Sequence, residues 1–119
     1  MSSGKVNYLA CRVTFGSQNP IMGILPAGAY VVRASLHVTE AFNSSGTDNI
    51  QCGYDSDNDA YFTNTDVSTT GIKSVTLGAG IGYDTVSRRV EAYYTNSASE
   101  PTAGEAEVIL EYYILPMQN

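Results

Sequence analysis

The stretch Gly28–Phe42, GAYVVRASLHVTEAF, keeps a two-residue alternation longer than any other run in the chain. Tyr30, Val32, Ala34, Leu36, Val38 and Phe42 fall on one phase of an extended backbone, and Arg33, Ser35, His37 and Thr39 fall on the other. Pro26 and Gly28 precede the stretch and a polar loop at 43–49 follows it, with Gly46 free to take a positive φ angle. The pattern predicts a long strand with one face against a core.

Further runs repeat the pattern. Lys5–Phe15 alternates with Leu9, Cys11, Val13 and Phe15 on one face, and Ile21–Leu25 reads as a short edge strand because Pro26 closes it. Asp48–Asp55 points Ile50, Cys52 and Tyr54 inward, Ala60–Thr63 is a short strand or a single turn, and Ile72–Ala79 has Val75, Leu77 and Ala79 as its apolar phase. Ser87–Thr95 places Val90, Ala92 and Tyr94 together, and Glu105–Leu115 turns Ala106, Val108, Leu110, Tyr112 and Ile114 in and Glu105, Glu107 and Glu111 out. With nine tyrosines, eleven glycines and six lysines plus arginines, the composition suits strands and turns, and no window has a helical period. The expected fold is all-β: a two-sheet antiparallel sandwich of seven or eight strands, of the jelly-roll type, forming a single domain over 1–119.

A formal net charge of -6 repels phosphate backbones and anionic membranes, which argues against nucleic acid and membrane partners. No apolar run is long enough for a membrane span, and the start MSSGKVNYL lacks the basic and apolar regions of a secretion signal, so the expectation is synthesis in a cytoplasm. Cys11 and Cys52 both sit on apolar phases, where two buried free thiols are expected rather than a bridge.

Few residues suggest chemistry. Asp55, Asp57 and Asp59 have a spacing that can converge on a hard cation, with Asp48 or Asp66 as helpers, but Ala60 and Asp66 occupy the positions where an EF-hand loop needs glycine and glutamate. They remain metal candidates beside the plainer reading of a solvated acidic loop. His37 is the only histidine, which excludes a multi-histidine centre, and Gly78, Gly80 and Gly82 match neither the dinucleotide fingerprint nor the P-loop. No nucleophile elbow is present, no carboxylate pair announces itself, and neither cofactor nor enzyme activity is expected. Val31, Tyr93, Ile109 and Tyr113 are apolar residues on phases that should face water. They are candidates for a subunit interface, against the reading that sheet surfaces simply tolerate such side chains.

The stretches LPAGAYVVRASLHVTEAFN, GYDSDNDAYFTNTDVSTTG and PTAGEAEVILEYY resemble the jelly-roll cement or decoration proteins of tailed bacteriophages, over most of the chain from about Gly23 to Tyr113. The resemblance implies a homotrimer on the outer surface of the assembled head, where it stabilises contacts between major capsid protein subunits without catalysis. It further implies assembly in the host cytoplasm, side-by-side packing through sheet faces, and an N-terminal arm at 1–5 whose Ser2, Ser3, Gly4 and Lys5 reach the capsid. The competing reading is a tail-fibre or receptor-binding module that stacks sugar rings on Tyr54, Tyr61, Phe62 and Tyr83. A cupin-like enzyme is a third class, which one histidine cannot serve.

Overall fold

The computed structural model describes residues 6–114. The described residues form nine strands: β1 (Val6–Thr14), β2 (Ile21–Leu25), β3 (Ala29–Glu40), β4 (Asp48–Tyr54), β5 (Asp57–Asp66), β6 (Gly71–Lys73), β7 (Gly82–Tyr83), β8 (Arg88–Asn96) and β9 (Glu105–Ile114). They form two antiparallel sheets, ordered β1-β9-β3-β6 with β7 also on β3, and β2-β8-β4-β5. That interleaving, in which every step along the chain except β4–β5 and β6–β7 passes from one sheet to the other, is the jelly-roll order. The ninth strand arises because β6 and β7 both flank β3, at Leu36–Val38 and at Tyr30–Val31, as two pieces of one interrupted edge.

The alternation in β8 and β9 falls as the sequence predicts: Val90, Ala92 and Tyr94, and Ala106, Val108, Leu110 and Tyr112, are buried. They meet Leu36, Val38, Ile50, Cys52, Leu25 and Val13 in the core between the sheets. Ile114, at the end of β9, is exposed instead. Phe15, also expected inward, lies one residue past β1 and is exposed.

In β3 the expected phase holds from Ala34 onward and reverses before it. Val31 is fully buried while Tyr30 is 41% exposed. The pairing with β9 slips between Val31 and Arg33, so Val32 is an extra residue with no β9 partner in the ladder. A β-bulge of this kind exchanges inside for outside on everything that precedes it.

β5 is ten residues long where a short Ala60–Thr63 piece is expected. Its register with β4 slips twice, and three successive residues, Ala60, Tyr61 and Phe62, are buried. The segment expected as a strand over Ile72–Ala79 keeps only Gly71–Lys73 in that form. Beyond it the chain leaves β3 and crosses to β5 in the other sheet, where Thr63 N–H donates to Thr76 O at 3.0 Å and Gly78 N–H to Tyr61 O at 3.1 Å. This crossing closes one side of the sandwich and covers the β5 edge. It passes so near that a Cβ on Gly78 would collide with the backbone oxygens of Asp59 and Ala60.

The loops at 15–20, 41–47, 67–70 and 97–104 gather at one end. There Asn43 Nδ2 donates to Thr102 Oγ1 at 2.9 Å, while Asn43 Oδ1 accepts from the N–H groups of Thr102 and Ala103. Beneath them the Phe42 and Tyr94 rings stack with centroids 4.9 Å apart, and Tyr94 O–H donates to the buried Asp48 carboxylate. Gly104, at φ +144°, is required here because a side chain would strike the Phe42 ring.

Candidate functional site

The outer face of the β1-β9-β3 sheet divides into two halves. Toward the loop end it is charged: Arg12 binds Glu105 at 3.1 Å and Glu107 at 2.9 Å, and His37 lies across from Glu107. Both pairs are open to solvent, so screening leaves them little weight in stability. At the opposite end one row of cross-strand neighbours runs Val6, Tyr113, Tyr30, Tyr83 across β1, β9, β3 and β7. Tyr8 and Ile109 extend that row toward the middle of the face, opposite Glu111 and Ala10. Tyr8 is 61% exposed and Tyr83 53%, Tyr30 is also exposed, and Val6, Ile109 and Tyr113 are half-buried, so the face carries a partly open aromatic band.

The band is held in place from beneath. Arg88 Nε donates to Asp84 Oδ2 at 2.8 Å, and its guanidinium lies 4.2 Å from the centroid of the Tyr54 ring. Gly28 N–H donates to Asp84 O at 2.8 Å and Asp84 N–H to Ala29 O at 3.0 Å, which ties the residue after Tyr83 to the start of β3. The Arg88 guanidinium holds the Asp84 carboxyl below the usual carboxylate range.

Of the four interface candidates, the structure brings Ile109 and Tyr113 together on this face. Val31 is in the core, for the bulge reason given above, and Tyr93 lies in the other sheet opposite Gln51, where burial and Glu91 push its phenol up to about 12. Tyr8, Tyr30 and Tyr83 belong to the band and were not among the candidates. Tyr30 carries the bulge error, and the only local sign of it is the pair Val31–Val32, which satisfies either phase. Ser2, Ser3, Gly4 and Lys5 lie outside the described residues.

Asp55 is in a tight turn joining β4 to β5, and Asp57 and Asp59 begin β5, so the acidic segment is a hairpin and not the open loop expected. Among the described residues no three His, Cys, Asp or Glu side chains gather as a metal-ligating group. Both cysteines are free thiols; burial pushes Cys11 up to about 12 and Cys52 higher, so neither is a nucleophile near neutrality. Of the aromatic residues proposed as sugar platforms, Tyr61 and Phe62 are fully buried and Tyr54 is half-buried beside Arg88. Tyr83 alone among them is exposed, and it stands in the band.

No protein-family model matches the chain, and no curated protein matches its sequence. Solved structures do match. A chain of the cyanophage Pam1 capsid asymmetric unit superposes with a TM-score of 0.72 at 20% identity, covering 94% of this chain and 86% of that one. Its fold is one found in phage capsids. A chain of the acidic stable capsid of Helicobacter pylori bacteriophage KHP30 superposes at 0.62 with 18% identity, and one from the capsid of Ralstonia phage GP4 at 0.54 with 19%. Each match covers 94% of the chain, with 89% and 86% of the two phage chains, so this capsid fold accounts for nearly the whole sequence.

Proposed function

We propose that the chain is a non-enzymatic virion protein, a cement or decoration protein that sits as a homotrimer on the outer surface of the head. It stabilises contacts between major capsid protein subunits. The observation that carries this reading is the aromatic band of Tyr8, Tyr30, Tyr83, Ile109 and Tyr113 on a jelly roll shared, at a TM-score of 0.72, with a chain of a phage capsid. Exposed aromatic bands on one sheet face suit packing between copies. A clamp of that kind needs no active site: it binds only the assembled shell and so stabilises it by mass action, and contact with several subunits adds avidity. The glycan-binding reading loses support because two of its four aromatic platforms, Tyr61 and Phe62, are buried and a third, Tyr54, has its ring face taken by Arg88.

The test uses the purified chain and empty expanded heads of its phage, prepared without it. A trimer by native mass spectrometry that co-sediments with heads and raises their melting temperature is expected. Tyr30→Asp with Tyr113→Asp should leave a folded monomer that no longer protects the heads. A wild-type monomer that ignores heads and binds a glycan array would overturn the reading.

A further inference from the structure

Between β6 and β7 the edge of β3 is bare. β6 pairs with Leu36–Val38 and β7 with Tyr30 and Val31, which leaves Val32–Ser35 without a strand on that side. Among the described residues, no backbone hydrogen bond joins Val32–Ser35 to segment 74–81, whose own bonds go to β5. The result is an open groove of about 440 Å³ whose lining includes apolar Val75 and Leu77 and polar Arg33, Ser35 and Lys73. That volume falls in the range of sites that hold a ligand, roughly 300–1,000 Å³. An unpaired sheet edge is a template for one more strand, and four residues span about 13 Å of it.

The walls define what that strand should carry. Side chains on an added strand alternate in step with β3. One phase shares the side of buried Ala34 and meets Val75 and Leu77, while the other shares the side of Arg33 and Ser35 and meets water. The first phase calls for apolar residues. Charge decides the second: Arg33 forms no ion pair or hydrogen bond among the described residues, although Glu111 lies across from it on β9. Lys73 rests its ammonium on Thr69 Oγ1 at 2.6 Å, and among the described residues no carboxylate lies within ion-pair contact of it, Asp66 acting on it only at longer range. These are two of the six basic residues of a chain whose net charge is -6, so the groove is a cationic place on an acidic molecule. It attracts an acidic strand and repels a basic one.

We infer that the groove beside Val32–Ser35 takes an extended segment of another protein, in which apolar and acidic residues alternate, by strand addition to β3. The inference stands whether or not the chain decorates a capsid, because it rests on the bare edge and its charges alone.

The probe is a labelled peptide whose four-residue core alternates valine and glutamate between flexible glycine ends, short enough to fit between β6 and β7, with a valine–lysine core as the control. Fluorescence anisotropy should show saturable binding of the glutamate peptide only, with slowed amide exchange within Val32–Ser35. Arg33→Glu, an exposed change, should weaken the glutamate peptide by roughly tenfold or more and admit the lysine peptide. Equal binding of both peptides, an affinity unmoved by Arg33→Glu, or saturation without protection of Val32–Ser35 would each overturn the proposal. So would protection of Val32–Ser35 that grows with protein concentration in the absence of peptide, since a second copy of the chain would then be the occupant.

Discussion

Two buried tyrosines lose the same atom with opposite consequences. Tyr94 O–H donates to Asp48 Oδ1, in a carboxylate only 2% exposed whose other partner is the Ser44 N–H at 3.2 Å. Burial and the Asp48 carboxylate push the Tyr94 phenol up to about 12, so at neutral pH it is protonated and donates. Tyr94→Phe removes one of two donors from a buried carboxylate and should cost about 1.5–3 kcal/mol. Tyr61 O–H is equally buried but has no partner among the described residues. Its desolvation already weakens the native state by about 1–3 kcal/mol, and removing one oxygen leaves a void worth only about 0.4 kcal/mol. Tyr61→Phe should therefore stabilise the fold by about 1 kcal/mol. The assay is urea unfolding of both variants and wild type: the midpoint should fall for Tyr94→Phe and rise for Tyr61→Phe, with the slope unchanged in each. For a chain of this size the two melting temperatures should separate by about 10 °C or more. Equal losses in the two variants would refute the reasoning, because hydrogen-bond partnership would then not be what distinguishes the sites.

Acid should weaken the fold through Asp84 and Asp66. Arg88 lowers the Asp84 carboxyl and the Ser68 hydroxyl and N–H lower Asp66, so the stability they contribute is complete above the ordinary carboxylate value of about 4 and is lost as pH falls through the depressed values. Urea midpoints taken from pH 5 to pH 2 should decline for wild type and decline less for Asp84→Asn with Asp66→Asn; an unchanged slope in the double variant would exclude these groups as the cause. Gly78→Ala should push the crossing segment off β5 and cost more than about 2 kcal/mol, read as a lower urea midpoint together with faster amide exchange at Gly78 and Thr63. Wild-type exchange at those amides would show that the crossing tolerates a methyl group.

The fold was legible wherever one face of a strand meets the core and the other meets water. β8 and β9 are of this kind, and their buried residues alternate without interruption. β5 was not legible because its two register slips bury Ala60, Tyr61 and Phe62 in succession, which reads as neither helix nor strand. Ile72–Ala79 looks like one strand because its alternation is real, but Gly78 and Gly80 permit a backbone approach that carries the chain to the other sheet. The candidate site was half legible for a single reason. Ile109 and Tyr113 lie on an unbroken strand, whereas Val31 and Tyr30 exchange places across a bulge whose local sign is no more than the Val31–Val32 pair.

The direction of β1 and β9 has a practical consequence. Val6 pairs with Tyr113, so the start of β1 and the end of β9 lie side by side in the same row as Tyr30 and Tyr83. A purification tag or fluorescent domain joined directly before Val6 or directly after Ile114 is tethered beside the aromatic band. The loop at 97–104 lies a full strand away, about 30 Å for the ten residues of β9, at the other end of the sandwich. Guest sequences for display belong at that end, where an insertion at Ser97–Glu100 gives up the bonds of Ser97, Ser99 and Glu100 to Thr47, Ser45 and Gln18 and keeps the Asn43 contacts to Thr102 and Ala103.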